Sequence, residues 1–348
     1  MGDRGNAIRV VVVDDSLVAR EMLAQILSSD PGIEVVGMAS DGAQGVELVE
    51  RLHPDLVTMD IHMPRMDGLA ATERVMAYTP TPILVVSSSV HGEGIGRAFD
   101  ALAAGALEVI KKPEPRDWSE LDRIGRDVIR RAKVLARVKV VTHIRGRRVD
   151  RIPQATSSRM PVERTLVAIG SSTGGPSALQ TILGGLPQDF PAPVLVAQHM
   201  AEGFVPGLVA WLKTGCAIRV KPAEDGEAIE RGVVYFAPTG MNLATDGLRV
   251  RFRMPGPEQL YVPSADTLLE SVARSHGQHA VGVILTGMGA DGALGLKQLR
   301  DAGAATIAQD KESSTVWGMP KAAVELGAAE MVLPVEDIAV RLERLVAG

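Results

Sequence analysis

Short β-branched apolar runs recur along this chain, and most stop at a turn rich in glycine, aspartate or serine. IRVVVV (8–13), IEVVGMA (33–39), DLVTMD (55–60), PILVVSS (82–88) and LEVIKKP (107–113) are the runs of the first half. Segments with helical spacing lie between them, LVAREMLAQIL (17–27) being the first. This alternation predicts a parallel sheet with helices on both faces, because parallel strands need a long crossover to return to the same edge. Asp117, with Glu120 three residues on, predicts an N-cap, and Leu121, Ile124, Val128, Ala132 and Leu135 form the apolar stripe of the helix it opens. TLVAIG (165–170), APVLVAQ (192–198), VVYFAP (233–238), HAVGVILTG (279–287) and AATIAQ (304–309) repeat the pattern in the second half. Between the halves periodicity is lost, and Arg145, Arg147, Arg148, Arg151 and Arg159 stand among prolines, serines and threonines. That composition reads as a solvated connector rather than a dock for an acidic partner. The expected architecture is α/β in both halves: a domain over residues 1–136, a linker over 137–163, and a doubly wound domain with a mainly parallel sheet over 164–348.

A chain of 348 residues can bury two such cores. Its net charge of −5 and 3% aromatic content argue against a general nucleic-acid or membrane-surface binder. Cys216 is the only cysteine, so no internal disulfide can form. The N-terminus has no apolar signal core, Asn6 replaces the Ser or Thr of a myristoylation signal, and no apolar run reaches membrane-spanning length. A cytoplasmic protein without direct membrane insertion is expected.

The strand ends carry the chemistry. Asp14 and Asp15 follow IRVVVV, and Asp60 ends DLVTMD. In a parallel sheet they meet at the carboxyl edge, where such folds bind ligands. Clustered carboxylates repel one another and call for a hard divalent cation such as Mg²⁺. Ser87 and Lys112 end two further strands and bring a hydroxyl and an ammonium to the same rim. Taken singly, Asp14 and Asp15 read as helix caps and Lys112 as a surface lysine; five such residues at strand ends argue otherwise. This order resembles the receiver domain of two-component response regulators, over residues 8 to about 136. The resemblance implies a flavodoxin-like, five-stranded parallel sheet with Asp60 as phosphoryl acceptor. It further implies that Asp14 and Asp15 hold Mg²⁺ with the main chain of His62, and that Ser87 and Lys112 bind phosphoryl oxygens. A cis Lys112–Pro113 peptide is implied as well. Val109 stands where many receivers carry a switching aromatic, a departure that bears on how a signal would leave the site.

In the second half, Gly170-Ser171-Ser172-Thr173-Gly174 fits the G-x-S-x-G spelling of a nucleophile elbow after a strand. The same turn could simply connect, or hold a phosphate on the helix N-terminus, and Ser171 competes with Ser172 for the nucleophile role. His199 ends APVLVAQ, and Asp291 lies in the glycine-rich turn after VGVILTG. Three strand ends on one edge suit a serine nucleophile (Ser172), a base (His199) and an orienting acid (Asp291), with no catalytic metal. Backbone N–H groups near Met288 and Thr173 would then face the oxyanion. The order Ser…His…Asp is not that of α/β-hydrolases, so the fold must differ. His276 and His279 lack completing metal ligands and read as helix-end histidines. A rival uses Gly287-Met288-Gly289-Ala290-Asp291-Gly292 as a G-x-G-x-x-G dinucleotide loop, with Asp310 as the ribose acid of an oxidoreductase. It leaves the GSSTGG turn and His199 unexplained. A non-enzymatic, phosphorylation-controlled interaction protein is a further alternative.

GSSTGG, QHM with Gly203-Phe204, AEDGE (223–227), YFAP (235–238) and VILTGMGADGA resemble the CheB family of bacterial chemotaxis, protein-glutamate methylesterase/glutaminases. The resemblance covers nearly the whole chain. It implies hydrolysis of glutamyl methyl esters on the cytoplasmic helices of chemoreceptors, deamidation of receptor glutamines, and a chemotaxis histidine kinase as phosphodonor. A phosphorylatable domain tethered to a catalytic one predicts that access to Ser172 is restricted until Asp60 is phosphorylated.

Overall fold

In the computed structural model, which describes residues 7–88, 93–115, 117–140, 162–256, 259 and 261–347, the first valine run becomes an inner strand of a parallel sheet. The chain divides into two compact units, Met1–Arg145 and Gly146–Gly348. Most of the expected linker, 141–161, lies outside the described residues.

The first unit alternates strand and helix. It begins β1 (Ile8–Val13), α1 (Leu17–Ser28), β2 (Ile33–Ala39), α2 (Gly42–Leu52) and β3 (Leu56–Met59). It continues α3 (Gly68–Tyr78), β4 (Ile83–Ser87), α4 (Glu93–Ala103), β5 (Glu108–Lys111) and α5 (Trp118–Leu135). The strand order is β2-β1-β3-β4-β5, all parallel. Val10 to Val13 are essentially fully buried, which is why this run shows no polar alternation. Leu23, Ile26 and Leu27 of α1 share one apolar cluster with Val128, Ala132 and Leu135 of α5, the stripe expected from spacing. Asp117 caps α5 as expected, its carboxylate accepting the Glu120 N–H at 2.8 Å.

The second unit contains β6 (Leu166–Ser171), α6 (Gly175–Gly184), β7 (Val194–Gln198), α7 (Val205–Gly215), β8 (Arg219–Pro222) and β9 (Val233–Phe236). An antiparallel hairpin follows, β10 (Asn242–Thr245) and β11 (Val250–Arg253). Then come α8 (Ala265–Ser275), β12 (Ala280–Ile284), α9 (Ala293–Asp301), β13 (Ala305–Gln309), α10 (Met319–Glu325), β14 (Met331–Leu333) and α11 (Val335–Val346). Seven strands form one parallel sheet, ordered β14-β13-β12-β6-β7-β9-β8. Two of these, β8 and β14, are edge strands absent from the sequence-level reading, as is the hairpin.

Both sheets reverse direction at their first strand. The chain leaves β1 to one side for β2 and returns to the other for β3; likewise β6 has β7 on one side and β12 on the other. Successive crossovers diverge at such a point and leave a crevice beyond the carboxyl ends of the strands. The candidate residues cluster around those two crevices. Among the described residues, no helix is long and apolar enough to cross a membrane.

Candidate functional site

Around β1 and β3, Asp14, Asp15 and Asp60 can each offer one carboxylate oxygen, all within 4.8 Å of one another. Asp14 and Asp60 are buried and Asp15 is exposed. The turn is braced by backbone bonds from Asp14 N–H to Ala39 and from Asp60 N–H to Val13. Gly68, at the start of α3, lets the chain close on it: a Cβ there would stand 1.9 Å from the Asp60 carbonyl oxygen. Lys112 Nζ reaches both Asp14 (2.8 Å) and Asp60 (3.0 Å). Burial pushes the Asp60 carboxyl up from its ordinary range and the Asp14 charge adds to this, although Lys112 opposes both. Lys112 is itself held above its ordinary value: burial disfavours its charge, but its contacts with Asp14 and Asp60 outweigh that cost.

Ser87 is buried at the end of β4, and its carbonyl accepts the Lys112 N–H at 2.9 Å. His62, two residues past Asp60, is exposed. One expectation is corrected. Among the described residues the cis peptide is Val262–Pro263, and Lys112–Pro113 is trans. Trans is the lower-energy form of an X–Pro bond, and here the chain leaves β5 without needing the alternative. The acidic cluster suits a hard, oxygen-seeking divalent ion: its three carboxylates converge, and one ammonium only partly balances them.

In the second unit, the turn after β6 carries Ser172 and the turn after β12 carries Asp291. Ser172 donates its N–H to the Thr286 carbonyl at 3.0 Å, which ties the two turns together. Gly174 has φ 76°, a left-handed conformation that glycine adopts without strain, and it starts α6. Gly287 brings the β12 turn against the serine: a Cβ there would lie 2.7 Å from Ser172 Cβ. Ser171 is fully buried and its hydroxyl is spent on Gln198 Oε1 at 2.6 Å. Gln198 Nε2 in turn donates to the carbonyls of Ser172 (2.9 Å) and His199 (2.8 Å). Of the two adjacent serines, Ser172 is the one whose hydroxyl makes no hydrogen bond among the described residues.

His199, just past β7, joins Asp291 through Nε2···Oδ2 at 2.7 Å. Asp291 also accepts from Ser264 Oγ (2.9 Å), Ala265 N–H (2.7 Å) and Asp266 N–H (3.2 Å), so its carboxylate sits on the N-terminus of α8. Burial works to raise this carboxyl, but His199 and the backbone donors hold it below the ordinary carboxylate range. An ionised Asp291 has no proton to give, so Nε2 of His199 carries the hydrogen. In the neutral imidazole Nδ1 is then the lone pair, and it is buried with no hydrogen-bond partner. No hydrogen bond joins Ser172 Oγ to His199 among the described residues. Nδ1 is the nitrogen left to meet that hydroxyl, the reverse of the assignment in the serine-protease triad.

The expected oxyanion donors lie in the same two turns. Met288 is half-buried, and its N–H has no partner among the described residues. Thr173 is buried, its carbonyl accepting from Thr286 Oγ1 at 2.9 Å. The dinucleotide reading loses its ribose acid, because the Asp310 carboxylate closes its own turn on Ser313 N–H (2.9 Å) and Oγ (2.6 Å). His276 ends α8 with its ring against Ser275 Oγ, and His279, three residues on, meets the Glu163 carbonyl.

Sequence reasoning missed Gln198, Ser264, Asp266 and Tyr261. Ser264 had a signal, since Ser-x-x opening an apolar helical run spells an N-cap. Asp266, half-buried as the second residue of α8, lines a cavity of about 770 Å³ with Tyr261, Asp291 and Leu294. Burial pushes its carboxyl up to about 6, and the Asp291 charge adds to the shift.

Residues 167–342 match the CheB methylesterase family and residues 10–120 the response regulator receiver domain family. Among curated relatives, a protein-glutamate methylesterase/protein-glutamine glutaminase of Geobacter metallireducens is 45% identical over 344 residues, covering 97% of this chain and 99% of the relative. One from Anaeromyxobacter dehalogenans is 44% identical and covers 99% of this chain and 98% of its own. Among solved structures, the Thermotoga maritima CheB methylesterase catalytic domain is 40% identical. It covers 53% of this chain and all of that one, with a TM-score of 0.50.

Proposed function

The chain belongs to the CheB methylesterase family and carries a response regulator receiver domain, and from that premise we propose that Ser172, His199 and Asp291 hydrolyse glutamyl methyl esters of chemoreceptors. The same groups deamidate receptor glutamines, and both reactions serve adaptation in chemotaxis. The observation that carries this reading is the 2.7 Å His199–Asp291 pair at the Ser172 turn, with His199 Nδ1 buried and unpartnered.

The chemistry follows from the protonation pattern. Ser172 Oγ attacks the γ-carbonyl carbon as His199 Nδ1 takes its proton. Asp291, already ionised, stabilises the imidazolium through Nε2–H. The Met288 N–H, with Thr173 N–H, donates to the tetrahedral oxyanion, the position where fixed donors contribute most to rate. When the intermediate collapses, the C–O bond to methoxide breaks and Nδ1 returns the proton, releasing methanol; from an amide, ammonia leaves. Water, deprotonated by the same Nδ1, then attacks the acyl-enzyme; the bond from the carbonyl carbon to Ser172 Oγ breaks, Nδ1 returns the proton to that oxygen, and a glutamate is released.

Asp60 is the phosphoryl acceptor, with a histidine kinase as donor. Asp14, Asp15 and the main chain of His62 would hold Mg²⁺, which when bound neutralises the carboxylates and the incoming phosphoryl oxygens. Lys112 and Ser87 bind those oxygens, so modification redistributes the Lys112 contacts now made to Asp14 and Asp60. Phosphorylation of Asp60 raises the access of receptor to Ser172.

The test is methanol release from methylated receptor membranes. Ser172→Ala is expected to lose several orders of magnitude in rate, whereas Ser171→Ala retains most of it. Near-normal hydrolysis by Ser172→Ala would remove the serine from the mechanism. Rates equal with and without a small phosphodonor would remove the switch.

A further inference from the structure

We propose that Tyr261 is a positioning residue for His199, whose aromatic face stabilises the imidazolium that forms during attack; this rests on the reading of His199 as the base. The two rings lie parallel, 4.7 Å between centroids and 6° between planes. His199 is therefore held on two sides, with Asp291 at its edge and Tyr261 across its face. The stack covers the π-surface of the imidazole and not the in-plane lone pair at Nδ1.

The tyrosine is not there by default of packing. Its segment is anchored to Asn242 at the start of the β10–β11 hairpin. Asn242 and Gln259 exchange amide bonds of 2.9 and 3.1 Å, Gln259 Nε2 donates to the Tyr261 carbonyl at 3.1 Å, and Asn242 Oδ1 accepts the Ser264 N–H at 2.8 Å. Ser264 then bonds Asp291. One polar network thus fixes both the group on the imidazole edge and the backbone that carries the ring on its face. Gly289 makes room for the phenol: a Cβ there would stand 2.7 Å from Tyr261 Oη.

The face of an aromatic ring carries negative quadrupole charge and attracts a cation more strongly than it does a neutral imidazole. A base at His199 is neutral when it takes the proton and cationic while the tetrahedral intermediate exists. The contact is accordingly stronger in the transition state than in the ground state, which is the condition for raising kcat. A ring that merely filled space would act equally on both states.

Steady-state methanol release from methylated receptor membranes by the full-length enzyme separates these roles. Tyr261→Phe keeps the face and is expected to stay within about twofold of the parent. Tyr261→Leu, of comparable bulk without a π-face, is expected to lose about five- to thirtyfold in kcat with little change in KM, the range of a desolvated cation–π contact. Replacement by pentafluorophenylalanine, which keeps the ring but reverses its quadrupole, is expected to behave like leucine. Equal kcat for the phenylalanine, leucine and pentafluorophenylalanine variants would overturn the proposal, as would an effect confined to KM. His199→Ala, run alongside, keeps the two readings apart: activity surviving in that variant defeats the base assignment, whereas its loss with an indifferent Tyr261 series defeats only the role of the tyrosine.

Discussion

Asp60 follows β3 and Asp291 follows β12; each is a buried carboxylate at the reversal point of a parallel sheet, and each touches one basic side chain. Their surroundings differ in what else faces the oxygens. Asp291 lies against the N-terminus of α8 and accepts two backbone N–H groups and the Ser264 hydroxyl besides His199. Asp60 accepts one backbone bond, from Ile61 at 2.8 Å, and shares Lys112 with a second acid, Asp14. The first carboxyl is consequently driven down and the second up. Similar burial can thus hold a permanent anion or a basic one, depending on the count of fixed dipoles and neighbouring charges. The permanent anion suits a group that holds a histidine through a reaction. The more basic carboxylate suits one that must form a bond, once a cation and Lys112 screen the neighbouring acids.

The comparison is tested most severely at Asp291. Asp291→Asn keeps the shape but ends the charge that fixes the His199 tautomer, and about a 10⁴-fold fall in methanol release is expected, as for an amide in a triad. A fall below tenfold would mean that the α8 cradle serves structure alone. Asp60→Asn should act on response rather than on chemistry. Rates with and without a phosphodonor should coincide in that variant, and a persisting stimulation would move the acceptor role elsewhere.

The smallest effect concerns Asp266, whose Oδ1 accepts the Gly295 N–H at 2.7 Å beside Asp291. Its carboxyl is raised to about 6 in the folded protein, above the value of an unfolded chain. The folded state therefore keeps a proton that the unfolded state has lost, and this group's contribution to stability falls as pH rises from about 4 to about 6. Asp266→Asn, which can still accept from Gly295, should remove that slope. It should gain stability over the parent by up to about 3 kcal/mol between pH 4 and pH 8, read from urea unfolding at the two values. A parallel pH dependence in parent and variant would show that Asp266 carries no such proton.

Both parallel sheets, the α5 cap and stripe, and every strand end bearing a candidate carboxylate, hydroxyl or imidazole were legible in the amino-acid order. The physical reason is that buried parallel strands demand unbroken apolar runs, and chemistry collects where those runs stop. The edge strands β8 and β14 were not legible, being short and half-exposed, and the β10–β11 hairpin lacked a strong turn signature. The trans Lys112–Pro113 bond also ran against expectation, since local sequence leaves only a small preference between isomers.

Residue order along β6, β7 and β12 determined that Ser172, His199 and Asp291 would share one sheet edge. Only the tertiary structure decided which serine is free, because Ser171 is disqualified by Gln198 across a neighbouring strand. Only it decided that Asp291 meets Nε2 and leaves Nδ1 without a partner, with the α8 cradle behind the carboxylate and Tyr261 on the imidazole face. Those contacts join residues dozens of positions apart, and their energies depend on distance and burial that no local pattern encodes.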